Sequence, residues 1–162
     1  MYLDAAMDAW YVWVGVALVS LGLAAFAVTL PSEPAPDAER AAAALDRVGA
    51  SEYDAATTLE HDAEAVRIGA ERIAMRNEGG TDRARVSFGP VLPVHTLALN
   101  DSQRVALDGV LAGERPLGDL AVPLTDAVAA LDTETGVWRP ATDKLRARAV
   151  RVDGRRVVLV EF

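Results

Sequence analysis

Chemistry at neutral pH is carried most often by histidine, cysteine and paired carboxylates, and this chain offers few of them. His61 and His95 are the two histidines. They stand far apart, and neither lies in an H-x-x-x-H or H-E-x-x-H setting that would put two imidazoles on one helix face around a metal. Structural or surface roles are expected for both. Cysteine is absent, which excludes thiolate nucleophiles, Cys-ligated zinc and disulfides. No G-x-S-x-G, Walker A or G-x-G-x-x-G pattern occurs, and the remaining Ser and Thr nucleophiles have no recognisable base beside them. Asp132, Glu134 and Gly136 form a D-x-E-x-G spacing that could set oxygen ligands around Ca²⁺. The spacing lacks the further acidic positions and the bidentate Glu of an EF-hand loop, so a solvated turn is expected there. The other carboxylates are scattered and form no acid/base pair. The expectation is a non-enzymatic protein with no catalytic residues, no cofactor and no metal site.

Composition narrows the field further. The 162 residues carry 16 Lys plus Arg against 24 Asp plus Glu, a formal charge of -8, yet the mean hydropathy is positive at +0.15. Acidity and hydrophobicity coexist when they are segregated along the chain. Lys144 is the sole lysine, and Ala and Val are abundant, a usage that fits a high-salt, high-GC organism of haloarchaeal type, in which surface carboxylates maintain solubility. An acidic surface repels phosphate backbones and argues against a nucleic-acid partner. The exceptions are the Arg83, Arg85 pair and the group Arg146, Arg148, Arg151, Arg155 and Arg156, whose near-alternate spacing reads as the solvated face of strands.

The elements that would position these residues begin with a segregated apolar segment. No charge occurs between Asp8 and Glu33, and Ala9 to Leu30 is mostly Val, Leu, Phe and Ala. At 1.5 Å per residue this spans roughly 33 Å, about the thickness of a hydrocarbon core. Each central aliphatic or Phe contributes about -0.3 to -0.6 kcal/mol to insertion. Trp10, Tyr11 and Trp13 would lie at the headgroup layer, and Pro31, Pro34 and Pro36 end the helix. A cleaved signal peptide is the alternative, with Ala25-Phe26-Ala27 as its cleavage sequence. Asp4 and Asp8, without Lys or Arg, contradict a basic n-region and favour a retained anchor. Arg40 and Arg47 among acidic neighbours would weakly place the following domain inside.

The domain plan is a segment 1–30 containing the transmembrane helix (about 9–30), a Pro/Ala-rich linker and short helix over 31–50, and an acidic α+β domain over 51–162. The Pro-Ser-Glu-Pro-Ala-Pro run is expected as a stiff extended spacer. Asp37 caps an Ala-rich helix to about Val48, with Leu45 and Val48 inward and Gly49 as a stop. From Ala65 to Phe88 a hairpin is expected: Val66, Ile68, Ile73, Met75, Ala84, Val86 and Phe88 form an apolar face opposite an arginine-rich one, with Gly69 at a bulge or turn and Asn77 to Gly80 as a tight connection. Val91 to Val94 is an extended piece that Pro93 keeps at an edge. Asp101 or Ser102 caps a helix to Leu111, stopped by Gly113, with Val105, Val110 and Leu111 on related faces. Leu124 to Leu131 forms another, with Thr125 as cap and Val128 and Leu131 inward. Leu145 to Val152, Asp153-Gly154 and Arg155 to Phe162 read as a β-hairpin. The fold class is therefore α+β: an N-terminal transmembrane helix followed by a small antiparallel β-rich domain with two or three short helices.

Asp8-Ala9-Trp10-Tyr11-Val12-Trp13, Val66-Arg67-Ile68-Gly69, Arg76-Asn77-Glu78-Gly79-Gly80-Thr81 and Phe88-Gly89-Pro90-Val91-Leu92-Pro93-Val94 together resemble a family of haloarchaeal single-pass membrane proteins of unknown function. The resemblance runs over most of the chain. That family is similar in layout to archaeal type IV pilin-like and Tad-type secretion components, and this similarity implies a domain outside the cell. Residues 1 to 9 lack the basic leader and Gly-containing processing site of a prepilin, so an accessory envelope protein fits better than a filament subunit. The leading expectation is a membrane-anchored envelope protein that uses the lipid bilayer through its helix and binds protein partners through its domain. A cytoplasmic adaptor or regulator, and a small-ligand or hydrolytic domain, are the alternatives.

Overall fold

The computed structural model describes residues 4–28, 33–69, 71–120, 124–131 and 136–162. It falls into two compact units, Met1–Ser32 and Glu33–Phe162. The first is helix α1, Asp4–Val28. Its stretch Trp10–Val28 is 19 residues long, apolar enough to cross a membrane, and 0% buried. A helix that is hydrophobic all round offers water no polar face, which is why so long an apolar run needs a lipid or protein environment. Trp10 and Tyr11 meet edge to face at 5.5 Å between ring centroids.

The second unit contains helices α2 (Ala38–Ala50), α3 (Asp101–Ala112) and α4 (Leu124–Leu131) and strands β1 (Ala56–Glu60), β2 (Ala65–Gly69), β3 (Arg72–Asn77), β4 (Gly80–Arg85), β5 (Val91–Pro93), β6 (Arg139–Pro140), β7 (Lys144–Val152) and β8 (Arg155–Glu161). The architecture is α+β, as the sequence predicts. One sheet has the order β1-β7-β8-β5 and the other β4-β3-β2-β6. Every pairing is antiparallel except β5 with β8. Asp153 and Gly154 both take positive φ, 49° and 79°, the geometry that a two-residue turn joining twisted strands requires. Register follows: Val152 faces Arg155 and Arg146 faces Glu161.

The first sheet is covered on both sides. Leu145, Ala147, Ala149, Val158 and Val160 join a core with α2 and the inner face of β2 and β3. Val150, Val157 and Leu159 face the other way, into a second core with α3 and α4. Val157 to Val160 are all 0% exposed, so this apolar run is a strand buried on two faces. The layers run from the second sheet, through α2 and the first sheet, to α3 and α4.

Several details depart from expectation. The segment 65–88 is a three-stranded meander, not a single hairpin, because β3 pairs antiparallel with β2 as well as with β4. Phe88 lies beyond the strands and is exposed, as is Val105 on α3. Strand β1 had no sequence signal, since Ala56-Thr57-Thr58-Leu59-Glu60 alternates weakly. It forms because β7 offers it a complete antiparallel ladder. Helix α2, which the sequence reading grouped with the spacer, packs Ala38, Ala41, Leu45 and Val48 into the core. Pro36 is buried and the Pro34 carbonyl accepts from Asn77 Nδ2 at 3.0 Å, so this part of the proline run is packed within the second unit and is not a free spacer. Pro31 lies outside the described residues. The α3 cap is Asn100, in a reciprocal capping box with Gln103. Thr125 sits inside α4 and donates its hydroxyl to Asp153 at 2.6 Å.

The hairpin arginines are not a uniformly solvated face. Arg148 is 8% exposed. It donates to the Val110 carbonyl, which also accepts the Gly113 N–H at 3.0 Å, and, at 3.1 Å, to the Arg115 carbonyl just past the end of α3, which ties that end of the helix to β7. Arg156 does the same for α2, donating to the Gly49 carbonyl at 3.2 Å. Replacing Arg148 by Met keeps the stem but removes charged donors from the Val110 and Arg115 carbonyls, which predicts a loss of roughly 1–3 kcal/mol in unfolding free energy. Urea denaturation of the purified variant beside the parent chain measures it.

Candidate functional site

The sequence-predicted candidates disperse in space. His61 lies in an open cleft of about 600 Å³ with Asp37, Arg40, Glu60, Asp62 and Asp143. His95 lies in another depression, edge to face with Phe162 at 5.3 Å. The two imidazoles are not brought together. Asp132 and Glu134 of the D-x-E-x-G spacing lie outside the described residues. Gly136 is placed by packing: a methyl group there would collide with the Ile68 carbonyl, a close approach that requires glycine. Among the described residues no three His, Asp or Glu side chains gather to hold a metal.

His61 is held as an acceptor. Its Nδ1 receives the Ala63 N–H at 3.2 Å, while Nε2 is buried without a partner among the described residues. A second proton would displace the Ala63 donor. Burial lowers its pKa against the raising pull of Asp62 and Asp143. Burial and the charge of Arg139 lower that of His95. On the far side of the first sheet, burial opposes the charge of Arg146, but hydrogen bonds and charge from Asp108 and Glu161 outweigh it and raise the pKa. Arg146 donates to Asp108 at 2.8 Å and also to Glu161, which fastens α3 to the hairpin.

A different constellation is assembled by the second sheet. Val66, Ile68, Ile73 and Met75 point into the core, so strand alternation sends Arg67 of β2, Arg72 and Arg76 of β3, and Arg83 and Arg85 of β4 to the opposite face. Asp82 turns inward, where its carboxylate accepts the Ala38 N–H at 2.9 Å and helps to start α2. The outward strand positions thus carry five arginines and no carboxylate. Arg72 stands directly opposite Arg85, a like-charge pairing that costs stability. Glu71 relieves it through an exposed ion pair with Arg85 at 2.8 Å. Arg67, Arg72, Arg76 and Arg83 form no ion pair among the described residues. The Trp138 ring receives two of them, with Arg67 at 5.2 Å and Arg76 at 4.6 Å from its centroid, each contact worth about 0.5–1 kcal/mol at an exposed site. Beside it, Val137 is 67% exposed.

The arginine-rich face was legible as alternation in residues 66 to 88. Trp138 was not, because its place depends on β6 pairing with β2, and two residues of strand leave no periodicity to read.

A family model for DUF7283, a family of unknown function, matches residues 4–150. The chain belongs to that family. The match takes in α1 and the second unit as far as β7, so the DUF7283 pattern includes both the apolar helix and the arginine-bearing meander. Neither a curated protein nor a solved structure matches the chain.

The two lowered histidines of this DUF7283 protein set a pH dependence. Their ordinary value is 6.5, so as pH falls through that point the unfolded chain takes up protons before the folded one. The histidine contribution to stability is complete above that pH and declines as pH drops towards the folded values. The urea midpoint should fall between pH 7.5 and pH 5.5, about one unit to either side of the ordinary imidazole value, and fall less in the His61→Gln, His95→Gln double variant.

Proposed function

We propose that this DUF7283 protein is a non-enzymatic, single-pass membrane protein of the cell envelope, whose second unit works by surface contact with other proteins. The observation that carries the reading is the stretch Trp10–Val28, long enough to span a bilayer and 0% buried. The aromatic cluster Trp10, Tyr11 and Trp13 suits a headgroup layer. Dispersed titratable groups favour binding over catalysis. An apolar N-terminal helix followed by a β-rich unit supports a layout of the pilin-like or secretion-accessory kind, with the second unit outside the cell. The acidic excess and single lysine support a high-salt setting.

Alkaline carbonate extraction of native membranes tests the anchor, and an epitope added after Phe162 tests orientation. The expected outcome is protein retained in the pellet, a mature chain that still contains Trp10 to Leu30, and an epitope that protease removes from intact cells. Release into the carbonate supernatant, or a mature N-terminus at Val28, overturns the anchor. An epitope reached only after lysis turns the reading to a membrane-tethered cytoplasmic adaptor, which the flanking Arg40 and Arg47 would favour.

A further inference from the structure

We infer that the outer face of the β4-β3-β2-β6 sheet docks on a lipid surface, with Arg67, Arg72, Arg76, Arg83 and Arg85 holding anionic phosphate headgroups and Trp138 lying at their level. The inference rests on the membrane-anchored reading and adds what the second unit does beside the bilayer.

Charge segregation is the first support. Five of the 16 basic residues stand on one face of three strands, while the rest of the chain sets eleven against 24 acidic residues. The face is therefore opposite in sign to the molecule that carries it. Four of the five arginines keep their guanidinium groups free of carboxylates among the described residues, leaving the planar fork that fits phosphate oxygens bidentately. Shape is the second. Three adjacent strands place the side chains about 4.8 Å apart across the ladder, a broad platform, which suits a planar array of headgroups better than an extended peptide. The half-buried Trp138 and exposed Val137 add the amphipathic ring and apolar tip typical of a membrane–water boundary.

Connectivity is the third. Residues 29–32 alone separate the end of α1 from the start of the second unit, so a bilayer entered by the helix is offered to the sheet at high effective concentration. Weak contacts then suffice, each basic residue near an anionic surface contributing about 1 kcal/mol. They are made at hydrogen-bond range, where even the screening length of about 3 Å in molar salt leaves them effective. With this face on lipid, the α3 and α4 layer on the far side of the unit stays open to partner proteins.

The full chain in lipid nanodiscs tests the docking. It has no cysteine, so Thr81→Cys on the outer face of β4 and Ser102→Cys on α3 each accept one spin label. With phosphatidylglycerol in the disc, the Thr81 label should lose accessibility to an aqueous relaxant severalfold relative to phosphatidylcholine alone, while the Ser102 label stays unchanged. Adding Arg83→Gln and Arg85→Gln should reduce the docked-to-undocked ratio about fivefold per arginine, the factor that corresponds to about 1 kcal/mol. Equal Thr81 accessibility in both lipids, equal protection of both labels, or protection that requires an added acidic protein or nucleic acid overturns the docking and leaves the anchor standing. A chain that leaves the disc fraction on gel filtration overturns the anchor and the docking with it.

Discussion

The β7–β8 hairpin has no face turned to water, and the second unit is arranged around that constraint. An apolar run such as Val157 to Val160, each fully buried, needs cover on both sides, and short strands cannot supply it alone. One side is closed by α3 and α4, the other by α2 and the meander. Each cover is also tied down near a helix end, where backbone carbonyls have capacity for a further donor. The hairpin supplies the donors itself through Arg148 and Arg156. The same strand pair thus provides the hydrophobic surface and the polar groups that register both layers upon it.

This arrangement also explains why arginines of similar spacing have opposite fates. On β7 the alternation places Arg146 and Arg148 beneath α3, where carboxylates and helix carbonyls satisfy them. On β2 to β4 it places them on the outermost surface of the stack, where Glu71 is the one carboxylate that pairs with them among the described residues. Sequence periodicity identifies a two-sided strand in either case. Which side is solvent is decided by what packs against the sheet, and that is a tertiary fact.

Legibility along the chain followed the same division. The long apolar helix, the Asp153-Gly154 turn and the apolar and arginine-rich faces of residues 65–88 are local patterns, written in composition, turn chemistry and alternation, and they were recovered from the residues directly, whereas the third strand of that segment was not. Strand β1 and the pair Arg139–Pro140 owe their conformation to partners far away in sequence, so nothing local marks them. The two histidines stand in different depressions, apart in the fold as they are along the chain. The meeting of Trp138 with Arg67 and Arg76 was invisible, because a ring and two guanidinium groups from three segments converge through register alone.

The edges of the two sheets carry one more consequence. Strand β5 closes one end of its sheet with Pro93, and β6 closes one end of the other with Pro140. Each proline withholds a backbone donor at a border where a neighbouring molecule would otherwise continue the ladder. A second copy that met the molecule at either of these two margins would find the ladder interrupted, whereas the opposite borders, β1 and β4, contain no proline.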